Sequence, residues 1–131
     1  MIRELSVEVP EIMICTVNWW KACNGDLYFT EQGDHAGELE TASMQAIMPE
    51  LVLPLSEAGE GAETKMNIKG FQEKWAWMPR RWIYVTEDTG VGNPKDATPE
   101  KGKIFMKDCI EKIADFIVDF SKIDKEKELY K

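Results

Sequence analysis

The first strong pattern along the chain is a nearly continuous run of apolar and β-branched residues over 11–20, bounded by Pro10 and by Asn24-Gly25. Such a run is typical of a strand buried on both faces, which favours a parallel sheet covered by helices. Sheets of this kind bind ligands at the carboxyl ends of their strands. The pattern therefore predicts an α/β fold in which Trp19 lies near a ligand-binding edge.

The apolar residues over 38–53 recur with the period of an α-helix. At about 100° per residue its apolar side chains fall within one broad arc. The residues that form the arc are Leu39, Met44, Ala46, Ile47 and Leu51. Glu40 lies inside this arc and Glu38 on the opposite side. The pattern therefore predicts that Glu40 faces the core and that Glu38 faces water.

The clearest helix is predicted over residues 99–121. Thr98 and Pro99 form a strong helix start, because threonine caps the first turn and proline suits the first helical position. One face of this helix is charged and the other is apolar. The apolar positions are Phe105, Cys109, Ile113, Phe116, Ile117 and Phe120. Residues 1–9 resemble the end of another helix, and residues 122–131 are predicted to be a frayed, charged tail.

The remaining segments are predicted to be loops and extended chain. Residues 24–37 form a polar loop with several glycines, and residues 81–86 are predicted to be a short edge strand or an extended segment. Residues 54–80 are a long excursion of the type that forms lids or subunit contacts. Its Trp75 and Trp77 either stack on a flat ligand or belong to ordinary packing or an oligomer interface.

Composition and charge narrow the class of protein. A chain of 131 residues predicts a single domain over residues 1–131. The net charge of −8 argues against a nucleic-acid partner. No apolar run approaches the roughly 20 residues of a membrane span, and the charged start does not resemble a signal peptide, so we expect a cytoplasmic protein with no membrane partner. Cys15, Cys23 and Cys109 share no CxxC spacing, which indicates buried free thiols.

The candidate chemistry lies in residues 33–41, which hold the only histidine of the sequence. A core-facing carboxylate such as Glu40 needs a partner, because burial favours its neutral form. That partner is either structural, an ion pair or a helix cap, or part of a functional site. His35 is likewise either a hydrogen-bonded structural residue or a proton-transfer group tuned by a neighbour such as Asp34.

Two blocks of this sequence resemble the creatininase (creatinine amidohydrolase) family. The first block is Asp-His-Ala-Gly-Glu-Leu-Glu-Thr at 34–41, followed by Pro-Glu-Leu-Val at 49–52, and it resembles the family's HAGxxET signature and PELV helix end. The second block has Gly-Val-Gly-Asn-Pro at 90–94 and Glu-Lys-Gly at 100–102, similar to the segment before the family's last helix. With the terminal helix, the resemblance covers most of residues 11–120.

The resemblance implies part of a three-layer α/β/α sandwich with a mostly parallel central sheet, assembled as a homohexamer. It also implies a metal-dependent amidohydrolase that cleaves the C–N bond of a cyclic or linear amide with two divalent ions of zinc, manganese or iron. Because His35 occupies the position of the family's histidine in the motif, the resemblance implies that it transfers a proton to the leaving nitrogen. Glu40 is implied at the metal centre, as ligand or base. The residues expected to bind the substrate are Asp34, Gly37 and Trp19.

The sequence also departs from the family pattern. The ExHG segment, a downstream aspartate and the NGHxxN motif, which supply the family's principal metal ligands, do not occur in it. We therefore expect the C-terminal half of a creatininase-type protein that is inactive alone. Ala42 replaces a usual serine, and Glu31 and Gln32 replace the Trp-Asp pair of creatinine-cleaving members, which argues against creatinine as the substrate. The alternative is a non-catalytic fragment, or an oligomerisation and interaction module whose aromatic excursion binds a partner.

Overall fold

The computed structural model describes residues 1–124, 128 and 129 and divides the chain into two compact units. The terminal unit combines Met1–Cys23 with Asp108–Lys131, and the central unit is Asn24–Lys107. The single domain predicted for 1–131 stays a prediction. The α-helices are α1 (Ile2–Glu8), α2 (Glu38–Ile47), α3 (Lys69–Gln72) and α4 (Pro99–Lys122). The short 3₁₀ helices are Trp19–Lys21, Gly25–Leu27, Pro49–Leu51, Leu55–Glu57 and Trp82–Tyr84.

The described residues contain no β-strand, so the predicted α/β/α sandwich is wrong. In the run over 11–20, Ile12 and Val17 are 54% and 45% exposed instead of buried. A strand buried on both faces needs neighbouring strands for its backbone hydrogen bonds, and this run has none in the described chain. The predicted strand over 81–86 is also wrong: a 3₁₀ helix forms there, and the Val85 N–H donates to the Trp82 carbonyl at 3.0 Å.

An aromatic cluster forms part of the core of the central unit. Phe105 of α4 is fully buried, and its ring centroid lies 5.1 Å from that of Phe29 and 5.2 Å from that of Tyr28. Helix α4 approaches α2 at Gly102, where a Cβ would lie 1.9 Å from the carbonyl oxygen of the buried Ala42. The first turns of α4 are therefore in direct backbone contact with α2, which fixes the helix that follows His35.

Helix α2 buries a different face from the predicted one. Glu38 is 1% exposed whereas Glu40 is partly exposed, so both predicted orientations are wrong. The predicted arc depends on Met44, Ile47 and Leu51, which are 40%, 55% and 65% exposed. The buried residues are Glu38, Leu39, Ala42 and Ser43. Of the predicted arc only Leu39 is buried. The rest of the buried face is small or polar, because the α4 backbone approaches Ala42 and Lys101 pairs with Glu38, and such contacts produce no apolar period.

Helix α4 confirms the predicted terminal helix. It begins at Pro99, and Thr98 Oγ1 accepts a hydrogen bond from the Lys101 N–H at 3.3 Å, which is the expected N-cap contact. The predicted apolar face is buried only in part, because Phe116 and Ile117 are 39% and 58% exposed. Neither α4 nor any other described helix combines the length and the apolar character needed to cross a membrane. Helix α1 confirms the helix predicted at the start of the chain.

The three cysteines are free thiols with different exposure. Cys23 and Cys109 are buried and Cys15 is exposed. Burial, and then a hydrogen bond with Cys23, raises the pKa of the Cys109 thiol to about 11. A thiol of this kind stays protonated near neutral pH and is therefore a poor nucleophile. The prediction of buried free thiols is confirmed for Cys23 and Cys109 and is wrong for Cys15.

The excursion over 54–80 belongs to the central unit and contains α3. A Cβ on Gly70 of α3 would lie 2.8 Å from the ring of Trp75, so this indole covers the glycine. Trp75 and Trp77 are nevertheless 74% and 83% exposed, so neither is a core residue. Half of the charged tail predicted at 122–131, namely residues 125–127, 130 and 131, lies outside the described residues.

Candidate functional site

The two sequence blocks meet at the loop that carries His35. An isolated antiparallel bridge joins His35 to Val91. The N–H groups of Asp34 and His35 donate to the Val91 carbonyl at 2.7 and 2.9 Å, and the Val91 N–H donates to the His35 carbonyl at 2.8 Å. Val91 is 6% exposed, so these bonds are shielded from water. The backbone of His35 is therefore fixed, while its side chain is 48% exposed.

Three glycines allow the two loops to approach so closely. A Cβ on Gly33 would lie 2.7 Å from the Gly37 Cα, and a Cβ on Gly92 would lie 2.5 Å from the Gly33 Cα. Gly92 also has φ +129°, a conformation that L side chains rarely adopt. Gly37 is buried immediately before α2, and its close contact with Gly33 explains why this position is a glycine. The substrate contact expected for Gly37 stays a prediction.

Glu38 links the same loop to α4. Its buried carboxylate accepts hydrogen bonds from Lys101 Nζ at 2.5 Å and from the N–H groups of Thr30 and Glu31 at 2.8 and 2.9 Å. Burial acts to raise the pKa of Glu38. The hydrogen bonds from Glu31, Lys101 and Thr30 together outweigh this effect and hold the pKa below its usual value of 4.5. Glu38 is therefore an ionised structural anchor of the site loop.

The imidazole of His35 lies beside a carboxylate and an indole. Its Nδ1 is 3.6 Å from Oε2 of Glu40, and its ring centroid is 5.1 Å from that of Trp82. The same Glu40 oxygen accepts a 2.7 Å hydrogen bond from the Ala36 N–H, which orients the carboxylate. Ala36 has φ +52°, so the chain turns through a left-handed conformation between the two side chains. Both side chains are about half exposed, which leaves them open to a small molecule.

A cavity of about 330 Å³ opens beside His35. Its lining residues are Asp34, His35, Trp77, Arg80 and Trp82. Arg80 forms an ion pair with Asp34 Oδ2, and its guanidinium carbon lies 5.3 Å from the Trp82 ring centroid. Asp34 is 53% exposed, so it pairs with Arg80 while still presenting a carboxylate to the cavity. The volume and the mixed aromatic and polar lining suit a small ligand.

The described residues do not form the metal centre that the family resemblance implies. Among them, no group of three or more His, Cys, Asp or Glu side chains is placed to hold a metal ion. Glu40, the predicted metal ligand, already engages one oxygen with the Ala36 N–H. Metal sites in proteins need three or four such ligands in defined geometry. The described part of the chain therefore provides at most a fraction of such a site.

The residues expected at the site divide between the two units. Asp34, His35 and Glu40 are brought together in the central unit. Trp19 belongs to the terminal unit, and its role in substrate binding stays a prediction. Sequence reasoning misses Trp82 because it assigns 81–86 to extended chain, and it misses Arg80 because it places this residue at the end of the excursion over 54–80. A cationic pair next to an indole, Arg-Arg-Trp at 80–82, is the signal that indicates them.

Comparisons with known proteins bear directly on the family resemblance. The family model for creatininase, described as creatinine amidohydrolase, matches residues 1–117. A crystal structure of a candidate creatinine amidohydrolase from Bacteroides fragilis NCTC 9343 is 42% identical in sequence, with a TM-score of 0.86. The match covers 99% of this chain and 50% of the other, so the chain spans about half the length of that protein. No curated protein is significantly similar.

Proposed function

Because the chain belongs to the creatininase family, we propose that it carries the proton-transfer part of a metal-dependent amidohydrolase. The observation that supports this most is the placement of His35, whose Nδ1 lies 3.6 Å from Glu40 beside a cavity of about 330 Å³. Val91 holds the His35 backbone in place. A positioned imidazole next to a carboxylate is the arrangement that general acid–base catalysis uses. The proposed reaction is hydrolysis of the C–N bond of a cyclic or linear amide.

In this proposal His35 supplies the proton that the leaving group needs. Amide hydrolysis adds water to the carbonyl carbon, breaks the C–N bond and requires a proton on the departing nitrogen. Since Nδ1 is directed towards Glu40, Nε2 is the atom that gives this proton. The Glu40 carboxylate stabilises the imidazolium before the transfer. Trp82 packs against the ring and restricts its rotation.

Metal dependence is part of the same proposal, since the family is generally metal-dependent. A bound divalent ion would supply a nucleophilic water near neutral pH and would polarise the carbonyl. Glu40 is the described residue that we propose as a ligand. The other ligands are proposed to come from the half of the Bacteroides fragilis protein that this chain does not match. The chain alone is therefore expected to be inactive.

The test is hydrolysis of a panel of amides in the presence of zinc or manganese. The chain is assayed alone and together with the unmatched half of the Bacteroides fragilis protein, and only the completed protein is expected to be active. His35→Gln should then lower kcat by about 100-fold or more, whereas Arg81→Gln serves as a control outside the cavity. Activity that His35→Gln leaves unchanged would contradict the proposal.

A second candidate function, self-association without catalysis, is favoured by the exposure of the excursion over 54–80. Its Trp75 and Trp77 are 74% and 83% exposed, and exposed aromatic side chains are typical of protein interfaces. The homohexamer implied by the family resemblance would use such a surface. Light-scattering mass of the purified chain and amide hydrolysis by the completed protein separate the candidates. An oligomer whose completed form hydrolyses no amide favours the interaction module, and hydrolysis that depends on His35 counts against it.

A further inference from the structure

Arg80 also lines a second cavity, of about 600 Å³, in the central unit. The charged lining residues of this cavity are Lys65, Lys74, Arg80 and Glu63, so cations outnumber carboxylates. The chain as a whole has the opposite balance, with a net charge of −8. Neither Lys65 nor Lys74 has an ion-pair partner among the described residues. A local excess of unpaired cations in an acidic protein attracts an anion.

Arg80 connects this cationic cavity to the cavity beside His35, since it lines both. Its Nη2 pairs with Asp34 and its guanidinium lies over Trp82, so its orientation is fixed from two sides. Its side chain is 32% exposed, so part of it stays accessible to a molecule in the cavity.

We propose that Arg80, together with Lys65 and Lys74, binds a carboxylate of the substrate while the amide lies against His35. This inference rests on the proposed function and deepens it, because it names the substrate class as amides that bear a carboxylate. Guanidinium donors are well suited to carboxylate oxygens, and Lys65 and Lys74 in the same cavity lining add to the attraction for an anion.

The geometry also limits the length of the substrate. The His35 ring centroid and the Arg80 guanidinium carbon lie 5.1 and 5.3 Å from the centroid of the same Trp82 ring. The His35 ring and the Arg80 guanidinium are therefore at most about 10 Å apart, which limits the substrate to a small molecule. Trp77 lines both cavities and covers the ligand between its two ends.

The test compares binding of N-acetylglycine and N-acetylglycinamide, which differ only in the replacement of the carboxylate by an uncharged amide. Isothermal titration of the full chain measures both affinities without turnover. The wild type is expected to bind N-acetylglycine about tenfold more tightly or better, and Arg80→Gln should abolish this preference. Equal affinities in the wild type, or a preference that Arg80→Gln retains, would overturn the inference.

Arg81→Gln is the matched control, because it removes the same charge from the neighbouring residue. The Arg81 guanidinium lies 5.0 Å from the Tyr84 ring centroid, and Arg81 lines neither cavity. This variant should keep the preference for N-acetylglycine. Loss of the preference in both arginine variants would assign it to net charge and overturn a specific role for Arg80.

Arg80→Gln also deprives Asp34 of its partner and could impair folding, so a second variant is needed that leaves this ion pair in place. The double substitution Lys65→Gln and Lys74→Gln leaves that ion pair intact and should lower the preference severalfold with an unchanged circular dichroism spectrum. An unaltered preference would overturn the inference. Inorganic phosphate is the third probe: if it displaces N-acetylglycine at equal concentration, the site takes free oxyanions and the inference of a substrate carboxylate fails.

Hydrolysis assays of the completed protein separate this inference from the proposed function. A binding preference for N-acetylglycine with no hydrolysis of any amide would keep the carboxylate site and overturn the proposed function. Hydrolysis that depends on His35, with equal kcat/KM for carboxylated and uncharged amides, would keep the function and overturn the inference.

Discussion

Glu38 is the residue on which the position of the site loop depends most. Its carboxylate joins Thr30 and Glu31, which precede His35, to Lys101 of α4. A buried carboxylate stabilises a protein only when such partners satisfy it. The two glutamates of the motif therefore have separate tasks: Glu38 holds the loop and Glu40 faces the imidazole.

Replacing Glu38 by Gln should destabilise the protein. The change leaves Lys101 without its carboxylate and weakens two backbone hydrogen bonds, so the free energy of unfolding should fall by about 2 kcal/mol. Urea denaturation followed by tryptophan fluorescence measures this change. Glu57→Gln, at an exposed glutamate, is the control and should change the value by less than about 0.5 kcal/mol. Equal effects of the two variants would show that Glu38 is not an anchor.

The effect of Glu38 should also depend on pH. Because its pKa in the folded protein is below the usual 4.5, the unfolded chain takes up the proton more readily. The stabilisation is therefore fully present above pH 4.5 and is lost as the pH falls through the lower, folded value. Urea denaturation of the wild type and of Glu38→Gln at several pH values should show a difference that shrinks below pH 4.5. A difference that grows in acid contradicts this assignment.

At the scale of elements, close backbone contacts arrange the site. Gly102 sets the separation of α4 from Ala42 on α2, and Gly92 lies against Gly33 in the loop before His35. These contacts join segments that are far apart in the sequence. A single added methyl group at such a position therefore displaces a whole element.

Gly92→Ala should disturb the site, whereas Gly90→Ala should be tolerated. A Cβ on Gly92 would meet the Gly33 Cα at 2.5 Å and would stand at φ +129°. On Gly90 its nearest neighbour, Asp88 Oδ1, is 3.3 Å away on an exposed side chain. Thermal and urea unfolding should show a loss of about 2 kcal/mol or more for Gly92→Ala and under about 0.5 kcal/mol for Gly90→Ala. Comparable losses in the two variants would contradict the close-contact explanation.

At the scale of the whole molecule, burial should distinguish the three thiols. Cys15 is exposed and Cys23 and Cys109 are buried, so one thiol per native chain should react rapidly with an aromatic disulfide reagent. The other two should react only after unfolding in urea. Cys15→Ser should remove the rapid phase. Three thiols that react at one rate in the native protein would contradict the described packing.

Local signals explain what can be predicted from this sequence. Thr98 and Pro99 mark the start of α4 through contacts within one helical turn, and the motif at 34–41 brings His35 and Glu40 together because they are five positions apart. The buried face of α2 is missed because it depends on the approach of Gly102. Arg80 is missed because its partner, Asp34, lies 46 positions away.

The proposed amidohydrolase function depends on His35 and Glu40 acting together. The most direct test is a double-mutant cycle for amide hydrolysis by the completed protein, with His35→Gln, Glu40→Gln and both. If the pair acts as a unit, the double variant should lose about as much kcat as the more severe of the two single variants, on the order of 100-fold or more. Full activity in the double variant, or losses that simply multiply, would contradict the account.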